Sequence, residues 1–112
     1  MKDLTIRLSG SIKIGEGDII IHQKIREALE AGYRLIVLDF DGVTYLDSSA
    51  VGELAGALST TKRMDGHLVL AALQPRVKKI MATMCFLDIF PVFESTEDAL
   101  QVMRRRVQEE TT

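Results

Sequence analysis

Leu35-Ile36-Val37-Leu38, followed by Tyr45-Leu46-Asp47-Ser48-Ser49-Ala50-Val51-Gly52-Glu53-Leu54, is the stretch from which the fold can be read. The first four residues are continuously apolar and too few for a helix. That is the pattern of a central strand buried on both faces. Val51, Leu54, Ala55 and Leu58 then recur at helical spacing and form one apolar stripe. Asp47 stands between strand and helix, where a carboxylate can accept from the backbone N–H groups of Ser49 and Ala50. The stretch is therefore strand, turn, helix, with two serines on the first helical turn.

The pattern repeats outward. Leu4, Ile6 and Leu8 alternate with polar residues, and Ile12 and Ile14 resume after Ser9-Gly10. A small antiparallel pair or one bent strand fits equally. Gly15-Glu16-Gly17-Asp18 reads as a turn with Asp18 as a helix N-cap. Ile21, Ile25, Ala28 and Leu29 share a helical face that Gly32 closes. Leu68-Val69-Leu70 is a second buried strand, and Pro75 opens a helix carrying Val77, Ile80, Met81 and Met84 inward. Phe90-Pro91-Val92-Phe93 suits a short edge strand, because proline cannot donate to a ladder. Ser95 and Asp98 resemble a capping box before Leu100, Met103 and Val107, and fraying is expected from Glu109 onward. Strands alternating with helices imply βαβ units and a mostly parallel sheet.

Composition sets limits. The 112 residues suffice for one domain, and 46% apolar content supports a core. A formal net charge of −2 gives no basic footprint for nucleic acid. A single cysteine precludes an intrachain disulfide and fits a reducing cytoplasm. Met1-Lys2-Asp3 opens no apolar run, so neither a signal peptide nor a membrane span is expected, and the chain reads as soluble and complete.

On a helical wheel set by Val51, Leu54, Ala55 and Leu58, Ser49 points roughly 170° from the core, Ser48 about 70° and Asp47 about 30°. Ser49 is thus expected outside, with Glu53, Thr60 and Gly56, and Ser48 partly buried. A phosphate on Ser49 would add about −1.5 to −2 charge beside unpaired helix amides, which favour anions. The fold could carry that charge, and its effect would fall on whatever docks there.

Ile36-Val37-Leu38-Asp39 followed by Val43-Thr44-Tyr45-Leu46-Asp47-Ser48-Ser49 resembles the STAS domain family. The likeness is greatest to the anti-sigma factor antagonists of bacteria. It continues through Gly52, Gly56, Gly66 to Leu70, Pro75-Arg76-Val77, Leu87 and Glu97 to Leu100. The resemblance implies a STAS-like α/β domain over residues 1–108, with a mixed sheet of four to five strands and helices mainly on one face. It implies partner switching: an unphosphorylated form that binds an anti-sigma factor serine kinase, and release once Ser49 is phosphorylated. ATP and magnesium would belong to the kinase, and a phosphoserine phosphatase would be the opposing partner. No catalysis, cofactor, nucleic acid or membrane is implied for the chain itself. The partner surface would comprise Asp47, Ser48, Ser49, Ala50, Gly52, Glu53 and Gly56, with Asp18 matching a family acidic residue loosely. Ala50 departs from the family's usual glycine and adds a methyl where a kinase would approach. The Gly15 to Asp18 region is also longer than in the sporulation antagonists. A scaffold subunit of a larger sensory assembly is the alternative role.

Other residues compete. Asp39 and Asp41, two apart after an apolar strand, imitate the nucleophile pair of magnesium-dependent haloacid dehalogenase phosphatases. The later strand Leu68 to Leu73 brings no Ser or Thr, and Asp88 stands alone, so strand-end and turn roles are expected. His22 and His67 lack metal-ligand spacing and read as surface or satisfied residues. Cys85, amid Met84, Phe86 and Leu87, reads as a small buried hydrophobe. Arg104-Arg105-Arg106 reads as a solvated run complementing a helix C-terminus.

Overall fold

The computed structural model describes residues 2–12 and 18–111. Its elements are β1 (Lys2–Ile12), α1 (Asp18–Glu30), β2 (Tyr33–Leu46), α2 (Ser48–Arg63), β3 (His67–Ala71), α3 (Pro75–Thr83), β4 (Val92–Phe93) and α4 (Thr96–Thr111). Ile14 and the Gly15 to Gly17 turn lie outside the described residues, as does the side chain of Asp18.

The four strands are all parallel and lie in chain order, β1-β2-β3-β4. Each crossover steps the same way across the sheet. With the right-handedness that parallel crossovers require, α1, α2 and α3 must then share one face. The core shows the result. Ile36, Leu38, Phe40, Val43 and Leu46 of β2 pack with Ile25, Leu54 and Met81 from those helices. Leu35 and Val37 point the other way, onto Ala99 and Met103 of α4. A strand clad on both sides must be apolar on both sides, which is why Leu35–Leu38 shows no alternation.

β2 runs well past the end that Asp39 suggests. Asp39 lies mid-strand, opposite Arg7, and pairing continues to Leu46 opposite Ile12. Two bulges make this possible. Between Arg7/Asp39 and Ser9/Gly42, β2 spends one residue more than β1, and it does so again between Gly10/Val43 and Ser11/Tyr45. Each bulge shifts the inward parity by one. The buried positions therefore run Ile36, Leu38, Phe40, then Val43, then Leu46, a spacing that period-2 reading takes for a strand end. Gly42 eases the first bulge: a Cβ there would press at 3.1 Å on the Leu8 carbonyl oxygen and at 3.1 Å on Ser9 Cβ. β1 correspondingly forms the single bent strand, with Gly10 at φ 77°.

Helix ends follow local chemistry with two exceptions. Ser95 caps α4 through its Oγ, which accepts from the Asp98 amide at 3.1 Å. Gly32 ends α1 with φ 98°, as expected. After α2 and α3, however, the left-handed position following the helix is held by Asp65 (φ 59°) and Cys85 (φ 60°). Gly66 N–H donates to Thr61 O and Asp65 N–H to Lys62 O; Phe86 N–H donates to Met81 O and Cys85 N–H to Ala82 O. Both are Schellman closures without glycine. Cys85 is thereby turned outward and is exposed, contrary to the buried role its apolar neighbours suggest. Asp65→Gly removes the Cβ penalty of the left-handed region. It is expected to raise stability by about 0.5–1 kcal/mol in urea unfolding; a loss of stability would contradict the motif.

α4 continues to Thr111, past the fraying expected from Glu109. Glu110 lies 3.5 Å from His67. The arginine run is consequently mid-helix and not a C-terminal complement to the dipole. Arg104 Nε donates to Asp3 Oδ2 at 2.8 Å, joining the last helix to the first strand. That bond and the Asp3 charge hold the Arg104 guanidinium above its ordinary pKa. No helix among the described residues is long and apolar enough to cross a membrane.

Candidate functional site

The long β2 delivers the chain to one end of the sheet, where Leu46 is buried and α2 starts two residues later. Asp47 fixes the turn. Its backbone is extended (φ −92°, ψ 176°) and its Oδ1 accepts from the Ala50 amide at 2.9 Å. Its own N–H donates to the Ile12 carbonyl at 3.2 Å, and its carbonyl accepts the Val51 amide at 3.1 Å. The side chain thus satisfies the Ala50 donor of the first turn, and the main chain ties the turn to the end of β1. Ser48 and Ser49 supply the preceding first-turn amides, which have no intrahelical acceptor. Asp47→Ala is expected to cost about 1 kcal/mol in thermal or urea unfolding. Stability equal to wild type would show that the main-chain bonds to Ile12 and from Val51 hold the turn without the cap.

The two serines are exposed in the opposite order to the wheel. Ser48 is exposed and Ser49 half-buried. The wheel was centred on Val51, Leu54, Ala55 and Leu58. In the fold Ala50, Ala57, Thr60 and Thr61 are also inside, and Ala55 is only half-buried. That turns the buried stripe toward Ser49 and away from Ser48. α1 packs on α2 and brings His22 onto Thr60, a neighbour that the α2 sequence alone does not show.

The same packing rearranges the rest of the expected surface. Thr60 is 4% exposed, not outward. His22 of α1 lies between two α2 side chains: Nε2 is 3.3 Å from Thr60 Oγ1 and Nδ1 is 3.5 Å from Glu53 Oε2. Arg63 Nη2 also donates to Thr60 Oγ1, at 3.2 Å. Gly56 is where the imidazole crosses, since a Cβ there would be 3.9 Å from His22 Cε1. Its space thus faces α1. Gly52 is open: among the described residues nothing stands within 4 Å of its Cβ direction. Glu53 is exposed, one turn beyond Ser49. His22 was not legible as a site residue, though a glycine between two polar residues on one helix face is a signal for a crossing side chain.

Ala50 is 1% exposed, so its methyl points into the core. The departure from the family's glycine lies on the inner side of the helix. It presents no obstacle to a molecule approaching Ser48 or Ser49, and Ala50 cannot itself touch a partner. Asp47, Ser48, Ser49, Gly52 and Glu53 remain as an accessible group around the start of α2, and Asp18 lies at the start of α1.

Asp39 and Asp41 form no comparable group. Asp39 Oδ1 accepts the Asp41 amide at 2.9 Å, and its Oδ2 lies 3.6 Å from Arg7 Nε. The carboxylate serves to brace the bulge. Among the described residues no three His, Cys, Asp or Glu side chains converge as a metal site would need.

The STAS domain profile matches residues 2–99. The chain belongs to the STAS domain family. A STAS-domain-containing protein of Pseudomonas aeruginosa is 33% identical over 94 residues, covering 81% of this chain and 88% of that protein. The anti-sigma F factor antagonist of Paenibacillus polymyxa is 23% identical over 97 residues, covering 87% of this chain and 83% of its own length. Among solved structures, the anti-sigma factor antagonist SpoIIAA in its unphosphorylated form superposes with a TM-score of 0.77 at 23% identity, over 92% of this chain and 89% of that one. The phosphorylated form of the Bacillus protein superposes at 0.69, with 21% identity and 91% of each chain covered.

Proposed function

We propose that the domain is an anti-sigma factor antagonist that works by partner switching at the start of α2. The carrying observation is the Asp47-capped turn, which sets Ser48, Ser49, Gly52 and Glu53 at the surface in a chain of the STAS family. In the unphosphorylated state this face binds an anti-sigma kinase and so frees a sigma factor. The kinase, carrying ATP and magnesium, transfers a phosphate to Ser49 and is released.

Ser49 is the phosphoacceptor in this reading because it follows Asp-Ser, the position that the resemblance to the antagonists implies, and SpoIIAA is itself known in unphosphorylated and phosphorylated forms. Half-burial leaves its hydroxyl within reach at the second helical position. A phosphate there lies beside the first-turn amides, where the helix dipole favours negative charge. Glu53, one turn on, adds like charge, with His22 Nδ1 3.5 Å from its carboxylate. The added charge therefore bears mainly on the docked partner, which must desolvate it or answer it with a cation.

The test is incubation with the cognate anti-sigma kinase and ATP, followed by mass spectrometry. Phosphate is expected on Ser49, lost in Ser49→Ala and retained in Ser48→Ala. Phosphate on the more exposed Ser48 alone would overturn the assignment.

A further inference from the structure

The two edges of the sheet are built differently. β4 has only two residues, Val92–Phe93, and follows Pro91, which protects an edge against further pairing. β1 has eleven residues, and from Asp3 to Arg7 its register against β2 is unbroken. The irregularities lie outside that span, after Lys2 and after Arg7. This leaves a regular five-residue edge, Asp3-Leu4-Thr5-Ile6-Arg7, whose outer main-chain groups face away from the sheet.

Its side chains are complementary to themselves. Antiparallel pairing of two copies about Thr5 sets Asp3 opposite Arg7, Leu4 opposite Ile6, and Thr5 opposite Thr5. The charged pair occurs twice because the arrangement is two-fold symmetric. Moving the centre to Arg7 would face two guanidinium groups, and moving it to Asp3 two carboxylates. Each charge already has an opposite partner in its own chain, Arg7 with Asp39 and Asp3 with Arg104. Pairing would extend these into an alternating row, Asp39-Arg7-Asp3-Arg104, with the junction between Arg7 and Asp3 crossing the interface. On the other face, Leu4 and Ile6 are half-buried and floor an open groove of about 420 Å³ beside Ala28, with Lys24 and Glu27 of α1 on its rim. With Arg7, which also lines the groove, both signs of charge border it, as pairing with a second copy requires.

We infer that β1 is a self-association edge, on which a second copy of this chain pairs antiparallel about Thr5 to make one continuous eight-stranded sheet. The surface is separate from the switch. Thr5 lies seven residues from Ile12, whose carbonyl holds Asp47, or roughly 23 Å along an extended strand. Partner docking at α2 and pairing at β1 can therefore occur together.

Sedimentation velocity up to hundreds of micromolar is expected to show the mass rising from 12.5 kDa toward twice that value. Arg7→Ser should weaken the dimer at least fivefold. An exposed cysteine at the symmetry centre supplies a readout that leaves the ion pairs intact. In a Cys85→Ser background, Thr5→Cys should form an interchain disulfide under mild oxidation about tenfold faster than Ser9→Cys, because only the centre brings like residues within disulfide reach. A mass that stays at 12.5 kDa throughout, or equal cross-linking at both positions, overturns the inference. So does a dimer that Arg7→Ser leaves unchanged.

Discussion

Ser49→Asp is expected to fold as the parent does and to bind the anti-sigma kinase about ten- to a hundredfold more weakly, or roughly 1.4–2.8 kcal/mol. Two small effects decide the folding side. A carboxylate on the first helical turn gains about 0.3–1 kcal/mol from the dipole. Its like-charge neighbour Glu53, four residues on, returns about 0.2–0.5 kcal/mol. The sum is near zero or favourable, so the melting temperature should stay within a few degrees. The binding side is larger because the carboxylate would be desolvated in the middle of the docking face. One negative charge, against about −1.5 to −2 for phosphate, reproduces only part of the natural effect. Calorimetry would report it. An affinity equal to wild type would sink the charge mechanism, though it would leave Ser49 as a phosphoacceptor untouched.

Phe40→Ala is expected to cost about 3–5 kcal/mol, a large share of the 5–15 kcal/mol that holds a domain of this size. Phe40 is fully buried and lies in the bulged span of β2 between Asp39 and Gly42. Neighbours cannot close the cavity easily, because Val43 and Leu46 are pinned by the two bulges to their own places in the same core. The loss should appear as a lower urea midpoint with little change in slope. A cost under about 1 kcal/mol would mean that this end of the sheet relaxes around the void. The consequence reaches function, since Leu46 and the capped turn hang from the same strand.

The altered position of Ala50 shows how a site reading depends on packing. As sequence, Ala50 is a methyl added to the docking surface. In the fold it is buried in the same core cluster as Ala57. The departure from the family pattern bears on the core and leaves the surface as it was.

What the sequence by itself determined is what local chemistry decides. The cap at Asp47, the cap at Ser95, the glycine ending α1, the doubly buried strand and the proline-marked edge each rest on residues within a few positions of one another. Their order was enough to place the Asp47-Ser48-Ser49 turn between β2 and α2. Only the tertiary structure decided how far β2 runs, because bulges are defined by register against β1 and leave no period of their own. It likewise decided which serine is more exposed, that Thr60 is inside, and that Cys85 is outside. Those depend on where another helix lies or on one left-handed residue. A periodicity read along one segment carries no record of either.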